Sequence, residues 1–369
     1  MKKVILSVTN DLITDHRVHK VALSLQKMSF QVLLVGRKLP SSKKLEKRSY
    51  KTKRLKLFFK KGPLFYAEYN IRLFLFLRVR NAAIYLSNDL DSLPANYLIS
   101  KLKKKPLVYD SHELFTEVPE LINRPTIQAI WSRIERIILP KINHAYTVCE
   151  SIATVYQKKY GTPFKVVRNL PHHEELILVP HEKSLVTDDR KIILYQGALN
   201  VGRGLEYAIK AMQHLENARL LIAGDGDITT PLKQLVADLQ LADRVTFLGR
   251  IPLEEMKYIT AQANLGLSIE EDLGLNYRYA LPNKLFDYIQ QQVPVLVSNL
   301  PEMKKIVEQY QIGMILESHD PEQMARQFHE ALFNLDLRHS WIDNLPKAAE
   351  ELCWEKEENI LEEMFQPFL

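Results

Sequence analysis

Two stretches of this chain hold side chains suited to gripping a polyanion. In "YALPNKLFDYIQQQVPVLVS" (279–298), Asn283, Lys284 and Asp287 crowd the first turn of an expected helix whose other face, Leu285, Phe286 and Ile289, is apolar. A helix N-terminus presents unpaired N–H groups and a positive partial charge, so it attracts phosphate, and Lys284 adds a full charge there. Pro282 suits the first turn and Asn283 can cap it. Residues three and four apart share a face, so the three polar side chains look the same way. They also fit a plain solvated helix start with a Lys–Asp pair, worth roughly a few tenths of a kcal/mol.

The second stretch is "YQGALNVGRGLE", where Gly197 and Gly202 have the spacing of a phosphate-cradling loop but Arg203 and Gly204 follow in place of Lys and Ser or Thr. The hydroxyl that would hold magnesium is missing, so this is no Walker A site. What remains is a glycine-permitted turn with Arg203 near the next helix start, able to hold phosphate oxygens bidentately, or else a flexible loop with an exposed arginine. "AGDGD" (223–227) places Gly224, Asp225 and Gly226 directly after an apolar run. Without a third glycine it is a weak dinucleotide fingerprint, compatible with close backbone approach to a ligand or with a tight turn.

These residues need strands to carry them. "VILSV" (4–8), a helical pattern through Val18, Val21, Ala22 and Leu25, and "QVLLVG" (31–36) form a strand, helix, strand unit. Short apolar runs recur at 82–87, 106–113 and 144–149, as buried parallel strands do. The stretch 172–190 is polar and weakly periodic, a linker. The rhythm restarts at 191–199, 218–227, 243–251, 263–269, 294–298 and 313–317, which predicts a second doubly wound sheet. In such sheets ligands bind beyond the carboxyl ends of the strands, where both candidate loops lie.

At 369 residues the chain is long enough for two domains, and 46% hydrophobic with 25% charged residues is a globular composition. Its two cysteines, Cys149 and Cys353, form no CxxC or Cys/His cluster, so neither a disulfide framework nor a structural zinc site is expected, and a reducing compartment is. The apolar run of "MKKVILSV" is too short for a secretory signal, and "LFLFLRVR" (73–80) falls short of the ~20 residues that span a bilayer. The net charge of +6 is uneven: between Arg37 and Lys61 twelve Lys or Arg stand against one acid, Glu46.

The ordered set "YQGAL…GRG", "LLIAGDGD", "VTFLGRIP", "LPNKLFDYIQQQVPVLVS" and "PEMKKIVEQYQIG" resembles the nucleotide-sugar lobe of the family 4 retaining glycosyltransferases. "VTNDLITDHRVHKVALSLQ" and "VYDSHELF" resemble that family's acceptor lobe and the loop with its active-site histidine. The resemblance implies an α/β GT-B fold, two Rossmann-like doubly wound lobes facing a cleft. It places an acceptor lobe at 1–172, a nucleotide-sugar lobe at 188–345, and a helix at 346–369 crossing back to the first lobe.

By resemblance, Arg203 and Lys284 grip the donor diphosphate, Asp287 contacts the ribose, and His112 sits against the sugar; without the family it reads as a hydrogen-bonded loop histidine. Gly197, Gly224, Asp225, Gly226, Arg250, Ile251, Tyr279 and Asn283 complete the donor side, and Asn10, Arg17, Asp110 and Glu113 the acceptor side. Tyr279 replaces the family's first glutamate and Ala198 a common arginine, so Glu270, Glu271 or Asp272 is expected to supply the carboxylate, or donor recognition differs. The acceptor loop lacks the usual paired glycines, and Asn10 and Arg17 are expected to face the phosphates. No metal and no cofactor are expected; the donor is a nucleotide-diphosphate sugar, and "NDLDS" (88–92) reads as a loop and helix cap.

The implied activity is retaining transfer from a nucleotide sugar to a glycan or lipid-linked acceptor, such as a polyprenyl diphosphate glycan, at the cytoplasmic face of a membrane. The basic run and the aromatic, leucine-rich segment after it suit an anionic membrane surface, met through residues 37–80. The same run is also compatible with mere solvation. A nucleotide-sugar epimerase of the same architecture and a basic nucleic-acid-binding protein are the alternatives; nucleic acid is not the expected partner.

Overall fold

The structure is a computed structural model. It describes residues 1–369 except 14, 123, 178, 181, 183, 186 and 187, and five of these fall in the expected linker, which to that extent lies outside the described residues. The chain divides into two compact units, Met1–Asn169 with Glu357–Leu369, and Leu170–Lys356.

Among the described residues the first unit holds a seven-stranded parallel sheet. Its strands are β1 (Lys3–Ser7), β2 (Gln31–Lys38), β3 (Lys51–Lys56), β4 (Ile84–Asn88), β5 (Leu107–Ser111), β6 (His144–Thr147) and β7 (Lys165–Val166), in the order β3-β2-β1-β4-β5-β6-β7. The order reverses between β1 and β4, which pair from Val4↔Ile84 to Ser7↔Ser87. Loops after those two strands part to opposite sides and leave a crevice at the switch point.

The second unit repeats the plan. It contains β8 (Lys191–Gln196), β9 (Ala218–Ala223), β10 (Val245–Gly249), β11 (Leu265–Ser268), β12 (Val295–Ser298) and β13 (Gly313–Leu316), in the order β10-β9-β8-β11-β12-β13. β8 shows why its sequence is a continuous apolar run: Ile193 and Tyr195 enter one core and Ile192 and Leu194 the other, so both faces are covered. Leu285, Phe286 and Ile289 of helix Asn283–Gln290 join the second of these cores, which fixes the helix start at the carboxyl ends of β8 and β11.

The basic segment is not one surface. "KTKRLK" is β3, an edge strand beside β2 in which Leu55 turns inward while lysines blunt the outer side. Helix Pro63–Arg78 sends Phe65, Tyr69, Leu73 and Leu77 into the core. A four-residue spacing hidden among other apolar side chains, and a strand with one apolar position facing in, are why neither element stood out in the sequence.

Helix Trp354–Phe365 brings the end of the chain into the first unit. There Glu357 pairs with Arg168 at 2.6 Å, and the Phe365 ring meets Phe30 edge-on at 6.1 Å.

Candidate active site

In the second unit, the loop after β8, the loop after β11 and the start of helix Asn283–Gln290 converge on one carboxylate. Glu270 is fully buried. Its Oε1 accepts a hydrogen bond from Lys284 Nζ at 2.8 Å and lies 3.5 Å from an Arg203 terminal nitrogen. Its Oε2 accepts from Ser268 Oγ at 3.0 Å. Burial alone would raise this carboxyl, but Lys284 and then Arg203 hold it below the usual range. Lys284 Nζ also stands 3.9 Å from the centre of the Tyr195 ring, and Arg203 lies over Tyr277, its buried Nε without a partner. Two cations, one from a loop and one from a helix start, thus meet at a single oxygen.

Lys284 is buried rather than solvated and pairs with Glu270, not with Asp287. Asp287 accepts from Gln196 Nε2 at 2.9 Å, and Gln196 Oε1 accepts from Thr260. Pro282 occupies the cap position and Asn283 the first turn, with no side-chain cap bond, so the expected Asn283 cap is absent.

Glycines let the loops approach. Gly197 has φ +133°, and a Cβ there would touch Lys284 Cε at 3.5 Å. A Cβ on Gly224 would fall 1.8 Å from Gly197 O, and one on Gly226 2.4 Å from Leu199 O. Asp225 and Arg250 pair at 3.2 Å on the exposed rim, with Thr229 donating to Asp225, while Ile251 packs beneath against the core. Tyr279 closes the short helix Leu275–Arg278. Of the three acids weighed as the missing carboxylate, Glu270 lies between the cations. Glu271 accepts from Tyr207 Oη at 3.3 Å, and Asp272 pairs with Arg278.

The first unit has its own polar cluster at its switch point. His112 Nδ1 faces Asp89 Oδ2 and Nε2 faces Asp110 Oδ2, each at 3.1 Å, and the His112 backbone N–H donates to Asp89 Oδ1 at 2.8 Å. Burial would lower the imidazole, but the two carboxylates carry it well above its ordinary value. Both ring nitrogens therefore donate, and neither is left to take a proton. Asp110 would rise with burial, yet Arg17 and His112 bring it to about 2.

Arg17 does not face outward. It is buried, its guanidinium bound to both Asp110 oxygens at 2.8 and 3.1 Å and to Val167 O at 2.9 Å, because the helix His16–Lys27 turns that position onto the sheet. Asn10 is exposed and donates to Asp15, and the Glu113 carbonyl accepts from Ser111 Oγ.

Asp89, Asp91 and Thr9 were missed. Helix Asp89–Lys103 does begin at "NDLDS", but Asn88 makes no side-chain cap bond, and Asp89 sits at φ +58°, a left-handed conformation that Asp tolerates. Asp91 is buried against the Thr9 hydroxyl with Oδ1 unpartnered, and burial with Asp89 beside it raises its carboxyl to about 7. The available signal was position: these acids directly follow β4, at the switch point. Among the described residues no group of three or more His, Cys, Asp or Glu is arranged to hold a metal ion.

The family model for Glycosyl transferases group 1 matches residues 180–348, and that for Glycosyltransferase Family 4 matches residues 16–172. The chain belongs to the family 4 glycosyltransferases. It is 28% identical over 173 residues to the alpha-D-kanosaminyltransferase of Streptomyces kanamyceticus, a match covering 45% of this chain and 43% of that one. The match spans less than half the length of that relative.

GT-B folds set the frame. Sucrose-phosphate synthase from Thermosynechococcus elongatus superposes with a TM-score of 0.82 at 16% identity, over 100% of this chain and 99% of that one. Anabaena HepE, solved in complex with UDP and glucose, gives 0.75 at 12% identity over 100% of both chains. At these identities the likeness is one of fold. The family 4 chain described here thus shares their two Rossmann-like lobes.

Proposed function

We propose that this chain is a retaining glycosyltransferase that moves a sugar from a nucleotide-diphosphate sugar to a glycan or lipid-linked acceptor at the cytoplasmic face of a membrane. The observation that carries this reading is the meeting of Arg203 and Lys284 at Glu270 Oε1, beside the helix start at Asn283. As the bond from the anomeric carbon to the diphosphate breaks, negative charge grows on the departing group. Fixed cations and N–H groups aimed at that charge are the largest catalytic effect such a site can supply. Glu270 holds both cations in place, and the diphosphate contributes the remaining counter-charge, with no metal ion required.

Asp287, held by Gln196, is the ribose contact in this reading, and the glycine turns at 197, 224 and 226 admit the nucleotide. His112, its two ring nitrogens committed to Asp89 and Asp110, walls the sugar site in this reading rather than acting as a base. That suits a front-face reaction in which a donor phosphate oxygen takes the acceptor proton. HepE's complex with UDP and glucose supports a nucleotide-sugar donor by analogy of fold.

A thermal-shift panel of nucleoside diphosphates, with UDP first, tests the site. Lys284→Ala and Arg203→Ala should each reduce the shift, and each should lower turnover by ~10²-fold or more. An unchanged shift in both refutes the assignment. Release of nucleoside diphosphate only when acceptor is present separates transfer from epimerisation.

A further inference from the structure

The outer face of the first unit carries an apolar stripe that the proposed chemistry does not use. On helix Pro63–Arg78 the residues opposite the core-facing Phe65, Tyr69, Leu73 and Leu77 are Leu64, Ile71 and Leu75, followed by Val79, with exposures of 59%, 61%, 53% and 77%. On helix Asp89–Lys103, Leu98 and Leu102 are likewise exposed one turn apart. The two helix ends are tied together by Lys103 Nζ donating to Leu77 O at 3.1 Å, so the leucines of both belong to one surface.

Cations rim that surface. Arg78, Lys101, Lys104 and Lys105 are all exposed. Between residues 61 and 106 the acids are Glu68, Asp89 and Asp91. Glu68 is committed to the backbone N–H groups of Phe58 and Phe59 and to Arg72, and the two aspartates lie in the first turn of their helix, away from the leucines. A second copy of this chain would set like charges face to face, and a nucleic acid would leave the leucines unburied. Apolar side chains between cations match the acyl boundary and headgroups of an anionic bilayer. No described helix is long and apolar enough to cross one.

We propose that the face formed by Leu64, Ile71, Leu75 and Val79 with Leu98 and Leu102 docks on an anionic lipid bilayer. This narrows the expected membrane surface of residues 37–80: β3 is an edge strand and takes no part, and helix Asp89–Lys103, outside that range, does. The same helix holds Asp89 against His112, so docked lipid lies about 13–20 Å along the helix from that cluster, at 1.5 Å per residue. The idea rests on the lipid-linked acceptor for its purpose but not for its test.

The test is flotation of the full chain with vesicles of phosphatidylcholine alone and with added phosphatidylglycerol. Binding is expected on the anionic vesicles and not on the neutral ones. Ile71→Glu with Leu75→Glu should weaken it at least ~10-fold, and Lys101→Glu with Lys105→Glu roughly five-fold per charge removed. Thermal midpoints and UDP responses should stay unchanged in both variants, since all four side chains are exposed. A wild-type protein that stays in solution at low salt overturns the proposal. So does full retention by Ile71→Glu with Leu75→Glu, or light scattering that shows a dimer broken by that variant. A missing UDP response in every protein would count against the donor site and leave the vesicle result standing.

Discussion

At the scale of single residues, the proposed donor site turns on a carboxylate, Glu270, placed where a phosphate would be expected to meet cations. Burying Glu270 costs desolvation, and the two cations offset it. Glu270→Gln leaves Lys284, 8% exposed, with no counter-charge, and should lower stability by about 3 kcal/mol in a urea titration. UDP should then stabilise the variant more than it stabilises the wild type, because the diphosphate restores the lost negative charge. An equal or smaller ligand shift in the variant would show that the diphosphate does not bind at these cations. The contrast with Arg17 is instructive: an arginine and its aspartate, both buried and fully bonded, offer nothing to a ligand.

At the scale of elements, the loops work because glycine allows one backbone to lie on another. Gly224 holds φ +147° with its missing Cβ 1.8 Å from Gly197 O, so Gly224→Ala must push the loop after β8 away from Lys284. We expect a loss of ~2 kcal/mol or more and a weakened UDP response. Gly249→Ala is the control: φ is +69° and nothing lies within 4 Å, so only the backbone cost of ~1 kcal/mol is expected, with UDP binding intact. Equal effects of the two, read by calorimetry and by UDP titration, would mean that loop contact is irrelevant.

At the scale of the whole molecule, acid and base act on the first unit through a few buried groups. Asp91 has a folded value of about 7 against an ordinary 3.8, so its contribution is fully present below 3.8 and is lost as pH rises through about 7. Asp110, at about 2, does the reverse: its contribution is present above 3.8 and is lost as pH falls through about 2. His112, raised well above its ordinary value, contributes until pH climbs through that raised value. Between pH 4 and 7, Asp91→Asn should therefore gain on the wild type, by up to about 4 kcal/mol. Denaturation curves at several pH values check this, and parallel profiles for the two proteins would refute it. Because the chain has two compact units, the comparison is made on the transition that carries the pH dependence.

The sequence by itself determined the two sheets, because buried parallel strands are written as runs such as "KIILYQ" and "PVLVS" whose side chains are covered on both faces. It also determined that Arg203 and Lys284 belong at strand ends and helix starts, since glycine placement and amphipathic spacing are local properties. The edge strand "KTKRLK" was illegible for the opposite reason: its identity comes from its neighbour β2, not from its own pattern.

Only the tertiary structure decided that Lys284 turns to Glu270 rather than to Asp287, that Arg17 is spent on Asp110, and that Asp89 and His112 meet. Each is a pairing between residues from 14 to 93 positions apart, made where different loops converge. Which partner a charge takes depends on distance and burial in the folded chain, and neither is encoded in the residues beside it.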